Sequence, residues 1–162
     1  MVPYETQIAE QVRILEETGQ LALTKQYIQH GTVSVYEHCL AVAACSCHLA
    51  ERFHIPVDYP AMIRGALLHD YFLYDWHIPS NGHRLHGFSH ASTAARNALR
   101  DYHITPLEKD IIIHHMFPLN IIPPKSPEAW IVCMADKICA GKETWDGITG
   151  LFSRSRRDDH DA

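Results

Sequence analysis

Helix-start signals recur along this chain so densely that they leave little room for any other secondary structure. Thr105-Pro106-Leu107-Glu108 sets a capping threonine, a first-turn proline and a capping-box glutamate in four consecutive positions. The N–H groups that a helix start leaves unpaired are thereby answered in advance. Ser34 with Glu37 repeats the capping box ahead of "VYEHCLAVAACSCHLAERF", predicting a helix to about Phe53. Asp58 and Pro60 introduce "AMIRGALLHD", and Ser89 precedes the alanine-rich "HASTAARNALRDY" as its expected cap. Ser126-Pro127-Glu128 opens "EAWIVCMADKICAGKE", a helix that fades near Gly141. Two weaker helical patterns cover 4–18 and 20–30, and 71–88 reads as an irregular loop. Convincing period-2 alternation is missing, so the expected fold is an all-α bundle. Residues 1–30 are expected to pack on a main domain over 31–145, with 146–162 a flexible, charge-mixed tail.

A chain of 162 residues is long enough to bury a core as one domain. Its formal charge of −5 argues against broad binding to a nucleic acid polymer. No apolar run approaches the roughly 20 residues of a membrane span. The start "MVPYETQIAEQVRILEE" is acidic and amphipathic, unlike a signal peptide, so the expected location is cytoplasmic. Cys39, Cys45, Cys47, Cys133 and Cys139 form no CxxC pair and read as reduced helical thiols. The compositional outlier is thirteen histidines, which raises the expectation of a metal site.

Their placement gives that expectation content. Val35, His38, Val42, Cys45 and Leu49 form one stripe of the second major helix. Ile63, Ala66, Leu67 and Asp70 share a face, as do Ala129, Val132, Cys133, Asp136 and Cys139. His69 and Asp70 are adjacent, so they reach one point only where their helix ends or bends. Burying aspartates on apolar faces costs several kcal/mol or more unless they are paired or coordinated. Taken singly, each group has a plainer reading: His38 as a hydrogen-bonded core residue, Asp136 as a lysine partner, His114-His115 as complements to a helix dipole. Jointly, those readings each need a separate partner, whereas a shared metal site answers all of them.

Mixed imidazole and carboxylate donors suit Fe, Mn, Co, Ni or Zn. The six candidate donors His38, His69, Asp70, His90, His115 and Asp136 are too many for one catalytic ion and suit two ions about 3.5–4 Å apart. The remaining histidines His30, His48, His54, His103 and His160 read as surface or capping residues. His77, His83 and His86 stay open between loop and site.

The ordered segments "SVYEHCLAVAACSCHLAERF", "RGALLHDYF", "HGFSHASTAARNAL", "IIIHH" and "CMADK" resemble the HD-domain metal-dependent phosphohydrolases over about residues 30–140. The resemblance implies an all-helical HD-domain bundle with a central metal site. It implies metal ligation by His38, His69, Asp70, His90, His115 and Asp136, with Asp70 bridging two ions. Either or both of His114 and His115 can serve at that position. It also implies Lys137, with Asp70, in the catalytic apparatus, the lysine contacting substrate phosphate. The pattern is similar to the small bacterial two-metal branch that includes dinucleoside-tetraphosphate hydrolases. "HDYFLYDWH" departs from that subgroup, and "HHMFPLN" replaces the Gly-Tyr-Pro motif of cyclic-di-GMP phosphodiesterases.

The expected function is hydrolysis of a phosphate ester or anhydride, on a small phosphorylated substrate and a nucleotide in particular, by a metal-activated water. Arg64 and Arg84 are candidate substrate contacts. Tyr71, Phe72, Tyr74 and Trp76 could stack on a base, although core packing is the simpler reading. The alternatives are an HD-type di-iron oxygenase, which uses the same six ligands, and a non-catalytic HD binding module.

Overall fold

In the computed structural model, which describes residues 3–75 and 86–158, six α-helices follow one another. They are α1 (Tyr4–Thr18), α2 (Val35–Arg52), α3 (Tyr59–Leu68), α4 (His86–Tyr102), α5 (Pro106–His114) and α6 (Pro127–Asp158). Four of the caps are made by the expected side chains. Ser34 and Glu37 close a reciprocal capping box on α2, and Thr105 and Glu108 close another on α5. Asp58 accepts from the Ala61 N–H at the head of α3, and Ser126 Oγ accepts from the Ala129 N–H at the head of α6. The fold is all-α apart from one small hairpin, and no helix among the described residues is long and apolar enough to cross a membrane.

Four expectations need correction. The pattern over 20–30 is not one helix but a 3-10 helix (Leu21–Gln26) followed by β1 (Ile28–His30), which pairs antiparallel with β2 (Val33–Ser34). Gly31 turns this hairpin at φ +58°, a backbone conformation that a Cβ disfavours. Ser89 does not cap α4, which begins one turn earlier, and its hydroxyl instead bonds Tyr74. Helix α6 does not fade at Gly141 but continues to Asp158, so helix occupies much of the segment read as a tail. A contact from Glu143 back to α2 holds α6 to the bundle beyond that glycine. Finally, α2 buries a broader surface than its expected stripe. Cys39, Ala43, Ser46, Cys47 and Ala50 are buried, whereas Cys45 and Leu49 are only partly so.

Helix α2 lies against α3 and α6, and α5 lies against α3, α4 and α6. One apolar cluster runs through all six helices, from Ile8 and Leu15 through Met62 and Ile111 to Val132. Two contacts set the spacing of α3 and α5. A Cβ built on Gly65 would stand 2.7 Å from Ile111 Cδ1, so only glycine permits this approach. Arg64 Nε donates to the nearly buried Glu108 Oε1 at 2.6 Å. Charge-assisted geometry of this kind offsets much of the cost of burying the carboxylate.

The N-terminal helices are tied down by two tyrosines. Tyr102 Oη accepts from the Leu21 N–H at 2.9 Å and donates to the Leu15 carbonyl at 3.0 Å. Tyr71 Oη accepts from the Gln20 N–H and donates to Asp101 at 2.9 Å.

Candidate metal centre

Helix α3 ends at Leu68, and this ending lets two adjacent residues face one point. His69 is the C-cap, and Asp70 sits in the turn that follows. Asn97 on α4 donates its side-chain amide to the carbonyls of both Tyr71 and Phe72, holding the exit of that turn. His38 comes from the second turn of α2, His90 from α4, His115 from the C-cap of α5 and Asp136 from the third turn of α6. All six are buried, with His38 and His69 fully so.

The distances describe one cluster. His38 Nε2 lies 3.1 Å from Asp136 Oδ1 and 4.0 Å from Asp70 Oδ2. His69 Nε2 lies 3.4 Å from Asp70 Oδ2 and 3.6 Å from Asp136 Oδ1. Asp70 Oδ1 faces His90 Nε2 at 3.3 Å and His115 Nε2 at 3.6 Å. His90 and His115 bring their Nε2 atoms within 3.1 Å of one another. Two lone pairs do not face each other at that separation without a proton or a cation between them.

In His38, His69 and His115 the other ring nitrogen is committed. His69 Nδ1 donates to the Ala66 carbonyl at 2.7 Å, and His115 Nδ1 to the Ile112 carbonyl at 2.8 Å. His38 Nδ1 lies 3.0 Å from both carboxylate oxygens of Glu143. Such bonds fix the tautomer and turn Nε2 toward the shared interior, as they do behind metal-bound histidines. Despite this crowding, His69 Nε2 and Asp70 Oδ1 are buried with no hydrogen-bond partner among the described residues. Unanswered groups at such depth are costly, and a cation is the species that satisfies an imidazole lone pair and a carboxylate together.

Electrostatics keep both aspartates of the cluster ionised and raise His69 along with His38. Burial opposes ionisation of Asp70, but His69, His90 and His115 outweigh it and hold the carboxyl well below its ordinary range. Asp136 is likewise held low against burial by His38 and His69. Burial also opposes protonation of His38, yet Asp136 and Glu143 lift its pKa to about 10. His115 goes the other way, with burial and the neighbouring His69 bringing it to about 4. The cluster therefore keeps two carboxylates anionic and at least one imidazole neutral.

Among the described residues, two sets of donors have atoms within 4.8 Å of one another and could each hold an ion: His38, His69 and Asp136, and His69, Asp70 and His115. His114 lies apart from these sets, its Nδ1 2.6 Å from Asp110 one turn back on α5. Arg64 is engaged by Glu108 and the Tyr102 carbonyl. Arg84 lies outside the described residues, as do His77, His83 and Trp76.

Lys137 places its three donors on the His115 carbonyl (2.9 Å), the Cys133 carbonyl (3.2 Å) and Cys133 Sγ (3.2 Å). This anchors the end of α5 that carries His115. Tyr71 and Phe72 are core residues, the latter edge-on to His90 at 6.1 Å between centroids.

Two residues of the site were missed by the sequence reading. Glu143 stands two turns after Asp136 on the same helix, a spacing that becomes visible once α6 is allowed past Gly141. Gln29, whose Nε2 donates to Asp70 Oδ2 at 2.5 Å, carries no sequence signal because the hairpin alone brings it there.

The model of a protein family described as HD domain matches residues 35–141, more than half of the chain. Neither the curated proteins nor the solved structures contain a match.

Proposed function

The chain belongs to the HD-domain family, which is in general one of metal-dependent phosphohydrolases, and from that premise we propose that it hydrolyses a phosphate ester or anhydride of a small molecule, a nucleotide in particular. The observation that carries the reading is the buried cluster in which His69 Nε2 and Asp70 Oδ1 have no hydrogen-bond partner among the described residues. His38, His69, Asp70 and Asp136 would hold one divalent transition ion, and His90 and His115 with Asp70 a second. The bound metal supplies an activated water and neutralises phosphoryl oxygens, the usual contribution of such centres to hydrolysis.

The chain's own residues do the rest. Asp70, kept anionic in the interior, presents one carboxylate oxygen to each half of the cluster. Glu143 and the Ala66 and Ile112 carbonyls orient three imidazoles and turn their Nε2 atoms to the shared interior. Lys137 adds positive charge beside His115, and its contact to Cys133 Sγ is the weak one that a phosphate oxygen can replace.

The test pairs metal analysis of the purified protein with phosphate release from a panel of nucleotides and phosphate esters. Asp70→Ala is expected to abolish both metal occupancy and turnover. Turnover that survives this change overturns the mechanism. Iron-dependent oxygen consumption without phosphate release would replace hydrolysis with the oxidative chemistry that the same ligands permit.

A further inference from the structure

Gln29 belongs to β1 and precedes the residues matched by the family model. It is 91% buried, since only 9% of it is exposed. Its Nε2 donates to Asp70 Oδ2 at 2.5 Å. The orientation of the amide is set by its partner: turning it over would aim an amide oxygen at an ionised carboxylate, two acceptors with no hydrogen between them. Its carbonyl oxygen, Oε1, is buried and has no partner among the described residues. Among the described residues, Gln29, His69 and Asp70 thus each keep one buried polar atom without a hydrogen bond, and Gln29 and His69 both adjoin Asp70.

We propose that Gln29 is a positioning residue of the metal centre: its amide N–H holds Asp70 Oδ2 so that Oδ1 is presented to His90 and His115. This deepens the reading of the cluster as a metal site and rests on it. The reason is geometric. A carboxylate at a helix end can rotate about its terminal torsion, and that torsion is broad. Gln29 Nε2 approaches Oδ2 of Asp70 to 2.5 Å, closer than His69 Nε2 at 3.4 Å or His38 Nε2 at 4.0 Å. The free Oε1 is an acceptor for an O–H group entering the site with the ion or the substrate. The hairpin makes the contact possible, because a helix through 20–30 would carry residue 29 elsewhere.

The test uses the full-length protein stripped of metal and titrated with cobalt(II), followed through its visible absorption. Gln29→Met keeps the volume but removes donor and acceptor; Gln29→Ala is the second variant, and Asp70→Ala the comparator. The expected result is cobalt binding weakened by about 10–100-fold, as for other orienting partners of ligands, with a shifted absorption band. The thermal midpoint of the stripped protein should stay close to that of the parent.

Parent-like affinity and spectrum in both variants overturn the proposal while leaving the metal centre intact, provided Asp70→Ala still loses the ion. Loss of cooperative unfolding in both stripped variants also overturns it, assigning Gln29 to the fold. A parent protein that binds no cobalt, zinc, manganese or iron removes the metal reading and this inference together.

Discussion

His38 shows at the residue scale how much of a ligand's behaviour lies in the atom facing away from the site. Its Nδ1 is 3.0 Å from Glu143, a partner 105 positions away in the chain. With that bond the imidazole has one orientation; without it the ring turns and the site loses a donor. Glu143→Gln keeps the shape but removes the carboxylate charge that raises the basicity of His38. Metal affinity is expected to fall by about 10–100-fold, measured by equilibrium titration, with little change in the melting temperature of the stripped protein.

His115 and His114 make a second case at this scale. Adjacent on a helix end, they looked equivalent as ligands. Direction separates them, since Nε2 of His115 joins Asp70 and His90 while Nδ1 of His114 meets Asp110. Arg64 was similarly ambiguous, and a buried glutamate that also serves a capping box claims it. Residue types and spacing nominate candidates, but side-chain direction is decided by neighbours distant in sequence.

Elements bring the donors to the right separation. Helices α3 and α5 carry His69 and His115 at their C-caps and touch where Gly65 meets Ile111. Gly65→Ala would push a methyl group to 2.7–2.9 Å from three atoms of that isoleucine. Overpacking of this kind costs about 1–3 kcal/mol, and chemical denaturation should show it as a lowered midpoint with an unchanged slope.

The junction of α5 with α6 depends on Asp110, which accepts from the Ser126 hydroxyl and the Lys125 N–H and meets His114. Burial opposes its ionisation, but these contacts prevail and hold its pKa below the ordinary range. A carboxyl whose folded pKa is depressed adds stability that is complete above its unfolded pKa, about 4, and lost as pH falls through the folded value. Asp110→Asn should therefore flatten the acid side of the stability profile while lowering stability at neutral pH. A profile parallel to the parent's would remove Asp110 as a contributor. Most helix starts were legible in the sequence because caps are local chemistry, confined to four residues. The continuation of α6 past Gly141 and the hairpin were not, because Glu143 and Gln29 find their partners on other elements.

For the whole molecule, the cluster joins five segments at one buried point, so occupancy by an ion is linked to folding. An ion at a free concentration of 100 times its dissociation constant adds about 2.7 kcal/mol, roughly 5–10 °C in melting temperature for a chain of this size. Removing metal with a chelator should lower the melting temperature by that order, and restoring zinc or manganese should recover it. Asp70→Ala should melt at the same temperature with and without the chelator.

The sequence by itself determined the class of fold, the helix starts and the ordered set of histidines and aspartates, because apolar period, capping chemistry and residue type are written locally. Only the tertiary structure decided which imidazole faces inward, that Glu143 meets His38 and Gln29 meets Asp70, and that Arg64 bonds Glu108. Those outcomes depend on distances between residues far apart in the chain, and such distances exist only once the core has closed around them.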